Sequence, residues 1–308
     1  MSAPAATLDR RHSIDAAAVG FMLLLTFSWG LNGVAAKLAN QGFNPVFLMM
    51  ARSALAAVLV TLWCWHRGIP LAVRDGSLWP GIAAGLLFGI EFTLIFVGLE
   101  YTTVARSALL VNTMPFWILV GAHFLLGETM SLRKWLGLLL AFGGVALVFS
   151  DELSLPGPDA MTGDILSLAA GLFWAATTLV IKGTRLAAAP AEKILLYQLV
   201  VSALMGLPLL VFAGPVLRDV APLSVGAFLF QAVYVVSVTY ILWFWLMRRY
   251  PAAGLSSFTF LTPAFGVLLG GLLLGEPLSW KIFAALGLIA AGLTVVNRGA
   301  RKEVPPGE

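Results

Sequence analysis

The sequence predicts an all-α polytopic membrane protein, with ten transmembrane helices as two inverted five-helix repeats and both termini cytoplasmic. Three observations lead there: an apolar composition, a long internal repeat and a lopsided distribution of Lys and Arg. Of 308 residues, 60% are hydrophobic and only 11% charged, against about 25% charged in a soluble domain. The single cysteine, Cys64, excludes an intramolecular disulfide framework and a multi-Cys metal site. The net charge of +4 resides in short loops, where it bears on membrane orientation rather than on nucleic-acid binding.

The repeat is clearest between Tyr101 and Phe149. Pro115, Leu125-Leu126-Gly127-Glu128, Ser131, Gly144 and Val148 return 148 residues later as Pro263, Leu273-Leu274-Gly275-Glu276, Ser279, Gly292 and Val296. Ala105 returns as Ala253, and Trp29 and Lys37 return as Trp174 and Lys182 at an offset of 145. Self-similarity at a nearly fixed offset marks a duplicated structural unit.

Hydropathy gives ten apolar segments, at 17–37, 45–65, 78–99, 103–126, 132–150, 161–182, 190–213, 222–246, 252–274 and 279–297. Most are near the roughly 20 residues that a helix needs to cross the hydrocarbon core. Breakers stand at the joints: Gly42 to Pro45, Gly68 to Pro70, Pro156 to Pro158, Pro190, Gly214-Pro215 and Pro251. The basic Arg10-Arg11 pair before an apolar run resembles a signal peptide. The run from Ala16 to Ala36 is too long for one, however, and has an internal twin, so it is read as a retained first span. The organisation is then a cytoplasmic tail (1–16), a first repeat (17–150), an extracytoplasmic linker (151–160), a second repeat (161–297) and a cytoplasmic tail (298–308).

With the N-terminus inside, cytoplasmic positions collect Arg10, Arg11, Arg67, Arg74, Arg133, Lys134, Lys182, Arg185, Lys193, Arg248, Arg249, Arg298, Arg301 and Lys302, fourteen in all. Only Lys37, Arg218 and Lys281 fall outside, while Arg52 and Arg106 lie within spans and the acidic joint Asp151, Glu152 and Asp159 falls outside. This bias sets the orientation. An odd number of spans per repeat makes the second unit enter from the opposite side, with Lys37 external and Lys182 internal. Inverted repeats about a pseudo-two-fold axis in the membrane plane are a construction of secondary transporters.

Ten spans in two repeats, each with a mid-span Pro and a Leu-Gly-Glu followed by Ser and a Gly-rich last helix, resemble the drug/metabolite transporter superfamily, and within it the EamA-type members. The matching stretches are Glu100-Tyr101-Thr102 through Gly144 and Tyr250 through Gly292, and the layout covers nearly the whole chain. The length and the Trp/Tyr-rich spans are similar to bacterial amino-acid and metabolite exporters. The resemblance implies a multi-pass carrier of the bacterial cytoplasmic (inner) membrane with a central cavity between the repeats. Arg106, where small residues are commoner, and Glu91 in the third span depart from the pattern.

Several residues are candidates for that cavity. Glu91 is an ionisable group well inside a span, which makes it a functional candidate, either a proton carrier or a partner for a substrate amine. Alternatively it is a structural carboxylate held by a hydroxyl or by Arg106. Arg106 can pair bidentately with a substrate carboxylate or snorkel to the outer interface. Arg52, near the outer end of the second segment, reads as structural, and His123 as an interface residue. Trp29 with Asn32, and Trp174 with Thr177 and Thr178, lie mid-span, away from the headgroup belts where tryptophan anchors helices. They form either a cavity wall for an apolar or aromatic substrate or plain packing. Tyr234, Ser237, Tyr240 and Trp243 share a helical spacing that can extend the wall, whereas Trp245 and Tyr250 read as inner-interface anchors.

Asn112 and Thr113 precede Pro115. Ser256, Ser257, Thr259, Phe260 and Thr262 precede Pro263. Proline frees a carbonyl and permits a kink, so the two prolines are candidate gates, with the hydroxyls and amides either lining the cavity or satisfying those carbonyls. Asn112, Ser256, Thr259 and Phe260 are assigned to the cavity. Gly81, Gly85 and Gly89, and likewise Gly266 and Gly270, give small-xxx-small faces for packing within the chain first and dimerisation second. Glu128 and Glu276 are expected to cap the following helices near Ser131 and Ser279.

These residues lead to a secondary transporter that exports amino acids, apolar and aromatic ones included, and related metabolites by alternating access. Its partners are the small-molecule substrate, the bilayer and, if Glu91 titrates, protons, with no nucleic acid, no cofactor and no metal, in a monomer or weak homodimer. A multidrug or lipophilic-cation carrier would use Glu91, and a nucleotide-sugar carrier would need more cavity-facing bases than Arg106 and Arg52. An intramembrane enzyme would need a catalytic cluster, yet His12, His66 and His123 lie apart and no P-loop is present. A channel would need a ring of charge or a filter loop.

Overall fold

A computed structural model describes residues 13–71, 75–98, 101–102, 104–148, 150, 159–274 and 280–297. The basic residues Arg10, Arg11, Arg74, Arg298, Arg301 and Lys302, the joint residues Asp151 and Glu152, and Glu100, Gly275, Glu276 and Ser279 of the repeat lie outside the described residues. So do both terminal tails but for residues 13–16, and most of the linker 151–160.

Among the described residues the chain is helical, with one isolated antiparallel bridge between Phe43 and Leu217. The first repeat contains α1 (Ala16–Gly42), α2 (Pro45–His66), α3 (Leu78–Gly98), α4 (Val104–Val111), α5 (Met114–Leu126) and α6 (Leu132–Val148). The second contains α7 (Ala160–Gly183), α8 (Ala191–Leu209), α9 (Pro222–Leu229), α10 (Tyr240–Arg249), α11 (Ala252–Ser257), α12 (Leu261–Leu274) and α13 (Lys281–Asn297). A ten-residue π-helical stretch, Phe230–Thr239, joins α9 to α10, and a 3₁₀ turn, Phe258–Phe260, joins α11 to α12. Among the described residues, seven stretches are long and apolar enough to cross a membrane: Ala16–Gly42, Pro45–His66, Leu78–Ile95, Arg106–Leu126, Ala160–Gly183, Ala191–Phe212 and Pro222–Arg249. Helix α13 is apolar but shorter.

Local chemistry sets the ends. The Asp15 carboxylate accepts from Ala18 N at 2.9 Å to begin α1. Asn44 does the same for Val46 N at 2.9 Å, with Pro45 in the first turn of α2, where its missing N–H costs nothing. Helix α1 continues to Gly42, beyond the expected Lys37, because no breaker intervenes. Gly127 closes α5 in the left-handed conformation, φ 68°, which glycine adopts without a Cβ penalty.

The two expected kinks coincide. The chain leaves α-helical geometry at Asn112-Thr113, just before Pro115, and at Phe258–Phe260, just before Pro263. Offset by 148, Asn112 corresponds to Phe260. Ring closure at proline removes a backbone donor, and the side chains around both breaks bond the carbonyls of the preceding turn: Asn112 Nδ2 donates to Ala108 O at 2.7 Å, Thr113 Oγ1 to Leu110 O at 2.7 Å and Thr259 Oγ1 to Ser256 O at 2.7 Å.

Helix pairing mirrors the duplication. Helix α1 packs on α12 as α7 packs on α5; α1 packs on α9 and the π stretch as α7 packs on α3; α2 packs on the π stretch as α8 packs on α3. Equivalent helices also pair with one another, α6 with α13 and α2 with α8. A Cβ on Gly137 would meet Val296 and the Gly292 carbonyl, and one on Gly144 would meet the Ala285 carbonyl and Ile289, so α6 and α13 run antiparallel. Glycine lets these backbones touch, as small residues do where helices associate in lipid. Gly81 and Gly85 take Tyr197 and Val201 of α8, and Gly89 takes Met205. That glycine face is therefore filled within the chain.

The helix ends sort onto two faces. One gathers Asp15, Asp75, Glu128, Lys182, Arg185, Lys193, Arg248 and Tyr250, tied by contacts such as Lys193 Nζ to Asp75 Oδ2 (2.8 Å) and Tyr250 OH to Asp15 Oδ2 (2.9 Å). The other gathers the 42–44 turn against residues 213–218, Thr102 and Arg106 against Asp164, and Lys281 against Ser150. The first is the face expected to be cytoplasmic. Between them the helices expose large apolar side chains such as Leu24, Leu62, Trp63, Phe124, Leu139, Leu204 and Phe283, as a lipid-facing belt requires.

Candidate functional site

The centre of the molecule is aromatic. Trp29 stands at the midpoint of α1, thirteen residues from either end. Its ring packs edge-on against Trp174 of α7 at 6.5 Å, Tyr240 at 6.2 Å and Trp243 at 5.5 Å. Edge-to-face pairs at such separations are favourable by about 0.5–1.5 kcal/mol each beyond their buried area. Its Nε1–H donates to Thr239 Oγ1 at 2.9 Å, and that hydroxyl donates onward to Val235 O at 2.6 Å. The two tryptophans matched by the 145-residue offset thus meet each other where the repeats face.

The π stretch presents the second wall. Wider winding shifts the register of the residues downstream, which is why π segments recur at functional sites. Here it aims Thr239 and Tyr240 at Trp29. Within it Ser237 Oγ donates to Ala232 O, five residues back, at 2.7 Å, so this hydroxyl serves its own helix. The hydroxyls of Tyr234 and Ser28 share a hydrogen bond of 2.9 Å.

Two buried ionisable residues adjoin the aromatic cluster, Glu91 and Arg52. That residue lies seven positions after Pro45, is 4% exposed, and holds its guanidinium 4.2 Å from the centre of the Phe92 ring. Glu91 precedes Gly98 by seven positions, on the same side of the membrane, and is 3% exposed. Each feels the other's charge, and Tyr240 lies within electrostatic reach of both. The electrostatic partner of Glu91 is therefore Arg52, not Arg106. Its Oε2 meets no hydrogen-bond donor among the described residues, and the same holds for the buried Asn32 Oδ1 and Thr262 Oγ1. Buried polar atoms in this condition are rare in native proteins and call for a ligand or water.

Arg106 is paired with a carboxylate of the chain itself. Its guanidinium forms an ion pair with Asp164 at the start of α7, with Nε donating to Oδ1 at 3.2 Å, and Thr102 Oγ1 donates to the same oxygen at 2.8 Å. It ties the beginnings of α4 and α7 together on the less basic face. Glu128 also differs from expectation. Ser131 rather than Glu128 caps α6, accepting from Lys134 N at 3.3 Å, while Glu128 Oε1 accepts from Ala252 N of the other repeat at 3.0 Å. Tyr250 is 4% exposed and bonded to Asp15 rather than lying at the interface.

Of the remaining candidates, Asn112, Thr177, Ser256 and Thr259 all donate to carbonyls three or four residues back. Phe260 is fully buried between Phe116 and Phe142 at 6.2 Å from each, and so packs the kink of the second repeat. Thr178 likewise donates to Trp174 O at 3.1 Å. Sequence reasoning misses Arg52 and Thr239 as members of this site. Arg52 carries a legible signal, being an arginine inside a span, but its place near a helix end points equally to a structural role.

On the basic face, a cavity of about 390 Å³ is bordered by Leu125, Glu128, Lys182, Met247, Arg248 and Tyr250. Lys182 Nζ donates to the carbonyls of Met247 and Tyr250, and Arg248 donates to those of Ala187 and Ala188.

Most of the chain is similar to proteins of other organisms. It is 24% identical over 274 residues to the uncharacterized transporter YoaV of Bacillus subtilis, spanning 88% of this chain and 94% of that one. It is 29% identical over 287 residues to the chloroplastic WAT1-related protein At3g02690 of Arabidopsis thaliana, spanning 88% and 66%. A solved crystal structure shares the fold, with a TM-score of 0.81 at 18% identity over 94% of this chain and 99% of that one. The EamA-like transporter family matches residues 16–150 and again 161–298. With both halves of its apolar helical fold matched in turn, the chain belongs to the EamA-like transporter family of membrane transporters.

Proposed function

We propose that this transporter exports amino acids, apolar and aromatic ones included, and related small metabolites across the cytoplasmic membrane by alternating access. The observation that carries the reading is the meeting of Trp29 and Trp174 at 6.5 Å, equivalent residues of the two repeats whose rings form an apolar, stacking wall beside a buried charged pair. Such a wall, with a few convergent polar groups, suits a small organic ligand.

The mechanism rests on the duplication. The antiparallel course of α6 and α13, which are equivalent helices, supports ten spans in inverted repeats about an axis in the membrane plane. The clustering of Lys182, Arg185, Lys193, Arg248 and Arg249 on one face supports N-in, C-in. Exchange of the two repeats' conformations moves access from one face to the other, with the breaks before Pro115 and Pro263 as flexing points. The filled glycine face of α3 supports a monomer.

The test is efflux from proteoliposomes loaded with labelled amino acids, with and without a pH gradient. Saturable, selective release is expected. Release of lipophilic cations with no amino acid moving would replace the reading with a drug carrier, for which the buried Glu91 would be the acidic site.

A further inference from the structure

Resting on the amino-acid export reading, we propose that Gln198 of α8 receives the substrate's polar headgroup while the basic face is open, before the substrate passes the aromatic layer of Trp29 and Tyr240.

Gln198 is 0% exposed, and neither its Nε2 nor its Oε1 meets a hydrogen-bond partner among the described residues. Exchanging the two amide atoms by a flip does not repair this, since both ends lack a partner. A buried polar group left without its bonds is expensive and rare, and lipid offers it nothing in exchange. The side chain does not face lipid in any case. Helix α8 turns Val200, Leu204 and Leu207 outward, all exposed. At 3.6 residues per turn, Gln198 lies on the opposite side, in line with the buried Leu195 and Ser202. The Ser202 hydroxyl donates to Leu199 O at 3.2 Å, so on this inward stripe the unmet polar group is the Gln198 carboxamide.

Packing fixes its depth. A Cβ on Gly81 would meet Tyr197 and one on Gly85 would meet Val201, so α8 runs parallel to α3 and Gln198 lies level with the residue after Gly81. The Tyr197 hydroxyl shares a hydrogen bond of 3.1 Å with Ser77, one turn from the basic face. Phe88, whose ring packs on Tyr240 at 6.1 Å and through it on Trp29, comes about six residues farther along α3, or about 9 Å. Asn32 and Glu91, each three residues past Trp29 or Phe88, lie beyond the aromatic layer, and Asn32 Oδ1 and Glu91 Oε2 are likewise unmet among the described residues. The layer thus separates an unmet carboxamide on the basic side from unmet oxygens on the other, as suits a carrier that opens to each side in turn. Opening of the basic half uncovers Gln198. Its carboxamide presents a donor and an acceptor side by side, the complement of a carboxylate and an ammonium on one carbon.

The test has two arms. In the first, Gln198→Cys is labelled with a membrane-impermeant maleimide in right-side-out and inside-out vesicles, with Ser131→Cys marking the basic face and Cys64, equally buried, as the comparison within the chain. The substituted position is expected to react from the Ser131 side and faster than Cys64. Reaction from the opposite side, or no faster than Cys64, overturns the assignment of Gln198 alone, whatever the substrate. In the second, Gln198→Leu removes the unmet amide, so Tm in detergent is expected to hold or rise. The KM for L-phenylalanine presented at the basic face is expected to rise at least about tenfold, the loss of a bond to a charged group, with a smaller change at the opposite face. An unchanged KM at the basic face overturns the assignment, and a fall of Tm and transport together gives the amide a structural role instead. Transport of tetraphenylphosphonium with no amino acid moved by the unmodified protein overturns the amino-acid reading together with it, since that cation offers the carboxamide neither donor nor acceptor.

Discussion

Glu128, two residues beyond the end of α5, accepts a hydrogen bond through Oε1 from the backbone N–H of Ala252, the first residue of α11, at 3.0 Å. A carboxylate at a helix N-terminus satisfies an orphan donor and complements the helix dipole. Because the helix belongs to the other repeat, the cap also clasps the two halves on their basic face. Lys182 reinforces it by donating to the Tyr250 carbonyl, and Asp15 by accepting from the Tyr250 hydroxyl.

Removing this clasp has two expected consequences. Glu128→Ala lowers stability by about 1–2 kcal/mol, read as a lower Tm of the detergent-solubilised protein. It also raises labelling of a cysteine placed at Leu126, which borders the cavity. Glu128→Gln retains an acceptor oxygen and is expected to recover most of the stability. Equal losses in both variants would assign the effect to charge rather than to the cap.

The ion pair of Arg106 with Asp164 does the same work on the opposite face, without a counterpart in the other repeat, where Gly254 corresponds to Arg106. Asp164→Asn is expected to weaken that closure by about 1.5–3 kcal/mol, as loss of charge-assisted bonds does, and to favour access from that face. A double-mutant cycle with Arg106→Gln, read by labelling of a cysteine at Gly98, is expected to show a smaller combined effect than the sum. Strict additivity would mean that the two residues act separately.

Asp75 provides a pH signature outside the membrane. Burial alone would raise its carboxyl, but hydrogen bonds from the Lys193 ammonium and from Ser77 outweigh burial and hold it well below the usual carboxylate range. With the folded pKa depressed, its stabilisation is fully present above the unfolded value of about 3.9 and is lost as pH falls through the folded value. Thermal denaturation of wild type is expected to weaken with acid below about pH 4 more steeply than that of Asp75→Asn. Parallel curves would show that Lys193 contributes no pH-dependent stability there.

Trp29→Phe keeps an aromatic ring at the centre but removes the donor to Thr239. A neutral hydrogen bond of this kind contributes about 0.5–1.5 kcal/mol, so transport is expected to lose about two- to tenfold in kcat/KM. Thr239→Val is expected to lose a similar factor, with little further loss in the double variant. A tenfold additional loss in the double variant would place the two side chains in separate roles.

Orientation is testable with cysteine labelling. Cys64 is fully buried, so hydrophilic maleimide is expected to leave it unmodified in sealed right-side-out vesicles. A cysteine at Gly214 is expected to react from outside, and one at Ser131 only after permeabilisation. The opposite pattern would reverse the proposed topology.

Much of this architecture is legible in the chain. The Pro115/Pro263 echo locates both helix breaks, because proline's missing donor acts locally and identically in each repeat. The Trp29/Trp174 echo locates the centre, because residues equivalent under a two-fold relation meet when they lie near its axis. The charged residues are less legible. Arg52, Arg106, Glu91 and Asp164 are all ionisable groups in apolar surroundings, and hydropathy records the cost of each but not its partner. Arg106 reads as a ligand for substrate or a snorkelling residue and is neutralised by Asp164, 58 residues away. Arg52 reads as structural and stands beside Glu91. Glu128 reads as a local cap and reaches across to Ala252, a partner separated by 124 residues.

The sequence by itself determined the helical class, the duplication, the segment order and the positions of the kinks. Those properties depend on composition, periodicity and backbone chemistry within a few residues. Only the tertiary structure decided which buried charge faces which, that the π stretch turns Thr239 toward Trp29, and which carboxylate fastens the repeats. Side-chain electrostatics and hydrogen bonds act over a few ångströms in space, and the distance along the chain between partners carries no record of that proximity.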